Sequence, residues 1–200
     1  MVARNTPKQK LVSAAISAIE KSGWKSLTLM SLAKKAKLPF ETVYDICPNK
    51  QALLALIGNE VDLNFLNTNP EIDSTMSARD RAFDAVLSWF EQLEPLRAAL
   101  TVLKEESKGD VSTLIDLVHI TMRSAYWITE CAGLSNTGWR GLLVTRGMGI
   151  LLADTLNVWL QDEPDHAKTM AHLDRRLRTL EEWSETIKKA RTSVERDEDS

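Results

Sequence analysis

Few residues of this chain have the type and spacing to do chemistry, and most of that chemistry falls away on inspection. Asp116 and His119 stand one helical turn apart, where a carboxylate and an imidazole could hold a metal or pass a proton. A lone pair of this kind is far more often an ordinary polar contact. His166 and His172 are six apart, on different sides of a helix, which argues against shared metal ligation. Cys47 and Cys131 lack metal-ligand spacing and are expected as reduced thiols. No glycine-rich phosphate loop, Cys-x-x-Cys or nucleophile motif is present. The expectation is a protein that is not an enzyme, with no catalytic residue, no metal and no cofactor.

The chemistry that the spacing does support is electrostatic. Residues 1–58 carry nine Lys/Arg against Glu20, Glu41 and Asp45, a formal +6, while the remainder carries 16 basic and 25 acidic residues, a formal −9. A basic head on an acidic body is what a DNA-binding domain joined to a non-DNA domain shows. The cations to reach phosphates are Lys25, Lys34, Lys35, Lys37 and Lys50.

The elements that must position them are helices. A first helix is expected over residues 7–22, with Pro7 in its first turn and Gly23 ending it. Thr28 is a plausible N-cap for a second, over 29–36, whose Ala33 and Ala36 suit close contact with a crossing helix. The turn is Lys37-Leu38, and a third helix runs over about 39–45, with Leu38 and Val43 pointing inward. Pro48-Asn49 breaks and caps a fourth, over about 49–66, apolar on more than one side as suits a connector. Thr28 to Lys50 thus has the layout of a helix-turn-helix.

Behind the head, a loop is expected from Asn67 to Met76, then helices over about 78–92, on to Ser107 after a break at Pro95, 111–131, 137–162 and 165–190. The expected division is 1–50 as helix-turn-helix DNA-binding domain, 51–191 as helical ligand-binding and dimerisation domain, and 192–200 as a disordered tail. Trp89, Trp127, Trp139 and Trp159, with Met122 and Met148 as adaptable wall residues, are candidates to line a cavity for a small apolar ligand. Gly141, Gly147 and Gly149 each cost roughly 1 kcal/mol against Ala inside a helix, which suggests tight packing against another helix or a ligand. Met170, Leu173, Leu177, Leu180, Ser184 and Ile187 recur at steps of three and four, a narrow seam suited to pairing helices. With Leu143 and Ile150 of the preceding helix, Leu173, Leu177 and Leu180 are the candidate homodimer contacts. No apolar run reaches about 18 residues and no secretory signal is evident, so a cytoplasmic protein without membrane insertion is expected.

Thr28…Ala33…Ala36, Thr42-x-Tyr44 and Pro48-x-Lys50…Leu53 together resemble the N-terminal domain of TetR-type transcription regulators over about residues 7–58. The resemblance implies an all-α homodimer with two N-terminal recognition helices, an operator in double-stranded DNA and a C-terminal ligand-sensing domain. It makes Thr42, Tyr44 and Lys50 candidates for phosphate contacts and Pro39, Phe40, Glu41 and their neighbours to Asp45 candidates for the groove, with Thr28 and Lys37 at the edge of the same surface. The chain departs from that pattern at Lys37, where a glycine is usual, at Cys47, where an aromatic is usual, and in a recognition helix that carries Glu41 and Asp45 but no cation. Separately, Trp159-Leu160-Gln161-Asp162-x-x-x… with Thr169-Met170-x-x-Leu173-Asp174-x-Arg176-Leu177 resembles the lipid-binding accessory family of ubiquinone biosynthesis, which shares the fold. That resemblance implies the alternative of a lipid- or quinone-binding protein that does not bind DNA.

Overall fold

The computed structural model describes residues 6–68, 73, 75–134 and 137–198, with side chains through Glu182. Every regular element among them is helical. Residues 1–5, part of the expected 67–76 loop, residues 135–136, and the side chains of Ser184 and Ile187 lie outside the described set.

The head is built from three short helices and the start of a fourth. In α1 (Pro7–Ser22), the Thr6 hydroxyl accepts from the Gln9 N–H while the Gln9 side chain accepts from the Thr6 N–H, so two orphan donors are satisfied reciprocally. The helix ends at Gly23, whose φ of +81° is open to glycine without steric cost. Thr28 and Ser31 make the same reciprocal cap for α2 (Leu29–Ala36). Leu32, Ala33 and Ala36 form its buried face, as the spacing requires, against α1 and α3 (Phe40–Ile46). Asn49 caps α4 (Lys50–Asn67), which buries Leu53, Leu54, Ile57, Val61 and Phe65 around most of its circumference.

The body continues with α5 (Ala78–Leu93), capped by Ser77, and a 3-10 turn over Glu94–Leu96 at the break that Pro95 imposes. It then runs through α6 (Arg97–Ser107), α7 (Val111–Cys131), α8 (Gly138–Trp159) and α9 (Ala167–Glu198). Helix α7 packs on α4 and α8, α9 packs on α5 and α8, and α1 packs on α6. One core therefore runs without interruption from Leu11 in the head to Leu173 in α9. Within it Asp62 of α4 is buried yet fully partnered: it accepts from Trp89 Nε1 at 3.2 Å, Ser124 Oγ at 2.6 Å and Arg123 Nε at 3.0 Å. Leaving such a carboxylate unpaired would cost several kcal/mol, so this cluster fixes α4, α5 and α7 together.

Two features depart from the sequence-based expectation. Leu173 and Leu177, expected in a homodimer seam, are 0% and 6% exposed within one chain, where α9 lies on α5 and α8. A three-four seam has the same pattern whether its partner belongs to the same chain or to another, so periodicity could not choose. Helix α9 also continues to Glu198, through most of the stretch expected as a disordered tail. Glu195, Arg196 and Glu198 there are good helix formers, and charge alone does not unwind them.

Candidate functional site

The head presents α3 to solvent. Val43 is its buried anchor, and Phe40, Glu41, Tyr44 and Asp45 share the opposite face, with Tyr44 61% exposed. A phenylalanine and a tyrosine thus stand in solvent beside two carboxylates. Thr28, Lys37 and Pro39 are also exposed, whereas Thr42 is half-buried. Lys37 caps α2 with φ +55° and ψ +44°, its N–H reaching the Ala33 and Lys34 carbonyls, so the tight turn stands without the usual glycine.

Lys50 does not face outward with them. Its ammonium donates to the Trp24 carbonyl at 2.6 Å and lies 4.6 Å from the centre of the Trp24 ring. Burial pushes its pKa below the usual lysine range, against the opposing pull of the Glu106 and Asp110 carboxylates. The buried indole in turn reaches Thr113 Oγ1 at 3.4 Å, and the Lys25 N–H donates to Glu106 at 2.8 Å. Gly23 is needed here for its conformation, and a Cβ on it would also displace the Glu106 carboxylate. The loop between α1 and α2 is thus pinned to the corner between α6 and α7. Only the Lys residue was legible in sequence; its partners lie too far along the chain for spacing to reveal.

Behind the head is an apolar cavity of about 80 Å³. Ile16 and Ile19 of α1 form one wall, Leu54, Ile57, Gly58 and Val61 of α4 another, and α5, α6, α7 and Leu156 of α8 close the rest. Because α1 belongs to the head, an occupant would touch both parts of the molecule at once. Of the residues expected to line a cavity, Trp89 does so. Met122, Trp127, Trp139 and Met148 do not: Met122 fills the space over Gly149, Met148 is in the core, and Trp127 and Trp139 are exposed, Trp139 by 65%. An apolar helix face reads the same in sequence whether it turns toward a cavity, a neighbour or solvent.

A second crevice of about 450 Å³ lies between α4 and α7, where Gln51, Asp116, His119 and Arg123 border it beside Ala52, Ala55 and Ile120. Among the described residues no group of three or more His, Cys, Asp or Glu could hold a metal ion. Cys47 is buried and Cys131 half-buried, and burial pushes both thiols up, Glu130 adding to the effect at Cys131; both stay protonated and poorly nucleophilic. No described helix is long and apolar enough to cross a membrane.

No protein-family model matches the chain, and no curated protein matches it either. Solved structures do. A TetR transcriptional regulator from Nitrosomonas europaea superposes with a TM-score of 0.67 at 17% identity, covering 88% of this chain and 98% of its own. A TetR transcriptional regulator from a Rhodococcus species gives 0.63 at 14% identity, with 87% and 95% covered. NalD, the secondary repressor of the MexAB-OprM multidrug efflux pump in Pseudomonas aeruginosa, gives 0.52 at 22% identity, with 86% and 94% covered. At these identities the likeness establishes the fold, which is that of TetR-type regulators. It lends the resemblance to the ubiquinone accessory family no support.

Proposed function

We propose that this chain of TetR-type fold is a dimeric, cytoplasmic DNA-binding transcription regulator whose operator affinity is set by a small apolar molecule in the cavity behind the head. The observation that carries the reading is the α3 face: Phe40 and Tyr44, held in solvent by a reciprocally capped helix-turn-helix on a formally +6 head. NalD, which shares the fold, is a repressor. The division of labour follows the sequence boundaries, with residues 1–50 reading DNA and 51–191 binding ligand and partner, except that α1 contributes to the cavity wall. Two copies would set their α3 helices near one DNA turn apart, about 34–36 Å, and a ligand that binds one conformation better would shift that spacing.

Within the interface, Lys34 and Lys37 supply phosphate contacts and Thr42 orients α3, while Phe40 and Tyr44 offer apolar surface to thymine methyls and Glu41 an acceptor to cytosine. Lys50 acts by holding the Trp24 loop rather than by touching phosphate. The competing reading, a protein that binds an apolar ligand and no DNA, is favoured by that inward turn of Lys50 and by the carboxylates on α3. Titration with DNA from upstream of its own gene, at 50 and 200 mM salt, separates the two. A regulator shows affinity for that DNA above a scrambled duplex, and Lys34→Ala lowers its salt slope by about 1. Weak binding that is the same on both duplexes and indifferent to Lys34→Ala and Thr42→Ala would sink the regulator.

A further inference from the structure

The polar groups on the wall of the cavity select the chemistry of its occupant. Three residues with hydrogen-bonding side chains border it: Trp89, Thr121 and Ser124. The Trp89 indole N–H is given to Asp62 at 3.2 Å, the Ser124 hydroxyl proton to the same carboxylate at 2.6 Å, and the Thr121 hydroxyl proton to the Leu117 carbonyl at 2.9 Å. An indole has one N–H and a hydroxyl one proton, so every donor on this wall is already engaged inside the protein. Both hydroxyl oxygens keep lone-pair capacity to accept. Arg123 lines the α4–α7 crevice and not this cavity; its Nη2, a buried donor without a partner, lies behind Gly58 of the cavity wall.

We propose that the cavity takes a small, uncharged, mainly apolar molecule whose one polar group is a hydrogen-bond donor, a phenol or alcohol hydroxyl given to Thr121 or Ser124. The proposal rests on the reading of this cavity as the effector site. A carboxylate is disfavoured twice over. It would find no donor on the wall, and it would lie near Asp62, whose one cationic partner, Arg123, is already paired with it. A plain hydrocarbon fits the walls but leaves the hydroxyl acceptors unused. As to size, an engineered apolar cavity of about 150 Å³ holds benzene. A cavity of about 80 Å³ therefore admits a ring only as leucines such as Leu100, Leu103 and Leu117 change rotamer. Ile16 and Ile19 would carry that displacement to α1.

Phenol, toluene and benzoate are close in size and differ in the polar group, and their binding to the full chain can be followed by protein-detected NMR. Phenol should bind about five- to tenfold more tightly than toluene, the range of one net hydrogen bond, and benzoate should show no saturable binding. Thr121→Val, which keeps the side-chain shape, and Ser124→Ala should together bring phenol to the level of toluene. Toluene binding should survive both substitutions, which guards against a misfolded variant passing as support. A phenol preference that persists in the double variant, benzoate bound as well as phenol, or no binding of any probe would overturn the proposal. DNA titration of the same sample tells the two failures apart. Upstream DNA bound selectively with no probe bound sinks the ligand class alone, and phenol selected with no DNA bound sinks the regulator alone.

Discussion

Lys37 holds the turn of the helix-turn-helix at φ +55°, where a Cβ crowds the following carbonyl and a glycine does not. Its side chain is exposed, so exchange for glycine loses no packing. Lys37→Gly should therefore stabilise the protein, by about 1 kcal/mol, after the extra entropy of an unfolded glycine is set against the relieved strain. For a chain of this size that is a rise in melting temperature of about 2–4 °C. A thermal melt that falls would show that the strain relieved there is smaller than the entropy cost of the glycine. The spacing located this turn, and the resemblance to TetR-type regulators, which usually carry glycine there, drew attention to Lys37. Lys50 was legible only by type. The family resemblance implied a phosphate contact, but the Trp24 carbonyl and ring that hold it come from another loop, and the carboxylates that act on it, Glu106 and Asp110, from the α6–α7 corner. The cavity behaves likewise, since the identity of Trp89 drew attention while its role depends on Asp62 and on helices distant in sequence.

The helices themselves were readable because their ends are chemically marked. Thr28, Ser77 and Asn49 cap where hydroxyl- or amide-bearing residues precede apolar periodicity, and Gly23 and Pro95 stop or break the chain where they stand. The exception is the connection between α8 and α9, which the sequence extended to residue 162. Asp162 instead leaves the helix and organises the turn: its carboxylate accepts from the Thr169 N–H at 2.6 Å, the Thr169 hydroxyl at 2.7 Å and the Glu163 N–H at 2.8 Å. Burial pushes its pKa up, but those hydrogen bonds, aided by Lys168, hold it below the ordinary aspartate value. A carboxylate with a folded pKa below its unfolded one, about 3.9, contributes stability in full above the unfolded value. The contribution is lost as pH falls through the folded value. Asp162→Asn, which cannot accept three such bonds, should lower the melting temperature at pH 7, and the gap from the parent should narrow as pH falls below about 4. Melts at pH 7, 5 and 3 check this; a gap of constant size would remove the carboxylate from the account.

At the scale of the molecule, the surface poses the question that one chain leaves open. Helix α8 turns Leu143 and Ile150 outward, 60% and 62% exposed, with Trp139 and Leu142 beside them, and α7 adds Val111, Leu114, Ile115 and Val118. A monomeric protein rarely leaves so many large apolar side chains on two adjoining helices. Leu173 and Leu177 are in the core of the single chain, while Met170 and Leu180 of α9 are 37% and 42% exposed; most of the exposed large apolar side chains are on α7 and α8, and we propose that face as the one for a second copy. Gly147 points the same way. It lies on the turn between Leu143 and Ile150, and a Cβ there would meet nothing within 4 Å, so nothing in its own chain requires a glycine. An interior glycine costs a helix roughly 1 kcal/mol against alanine, and close approach of a second α8 would account for retaining it. Ile150→Glu, which places a charge on that face without touching the core, should turn a dimer into a helical, folded monomer in sedimentation, and should weaken binding to a two-half-site operator more than to a single half-site. Gly147→Ala should raise the stability of that monomer by about 1 kcal/mol while loosening the dimer of the parent. A parent chain that sediments as a monomer at micromolar concentration would remove the dimer from the account, and an Ile150→Glu variant that stays dimeric would place its interface elsewhere; either leaves the exposed α7–α8 face to another partner.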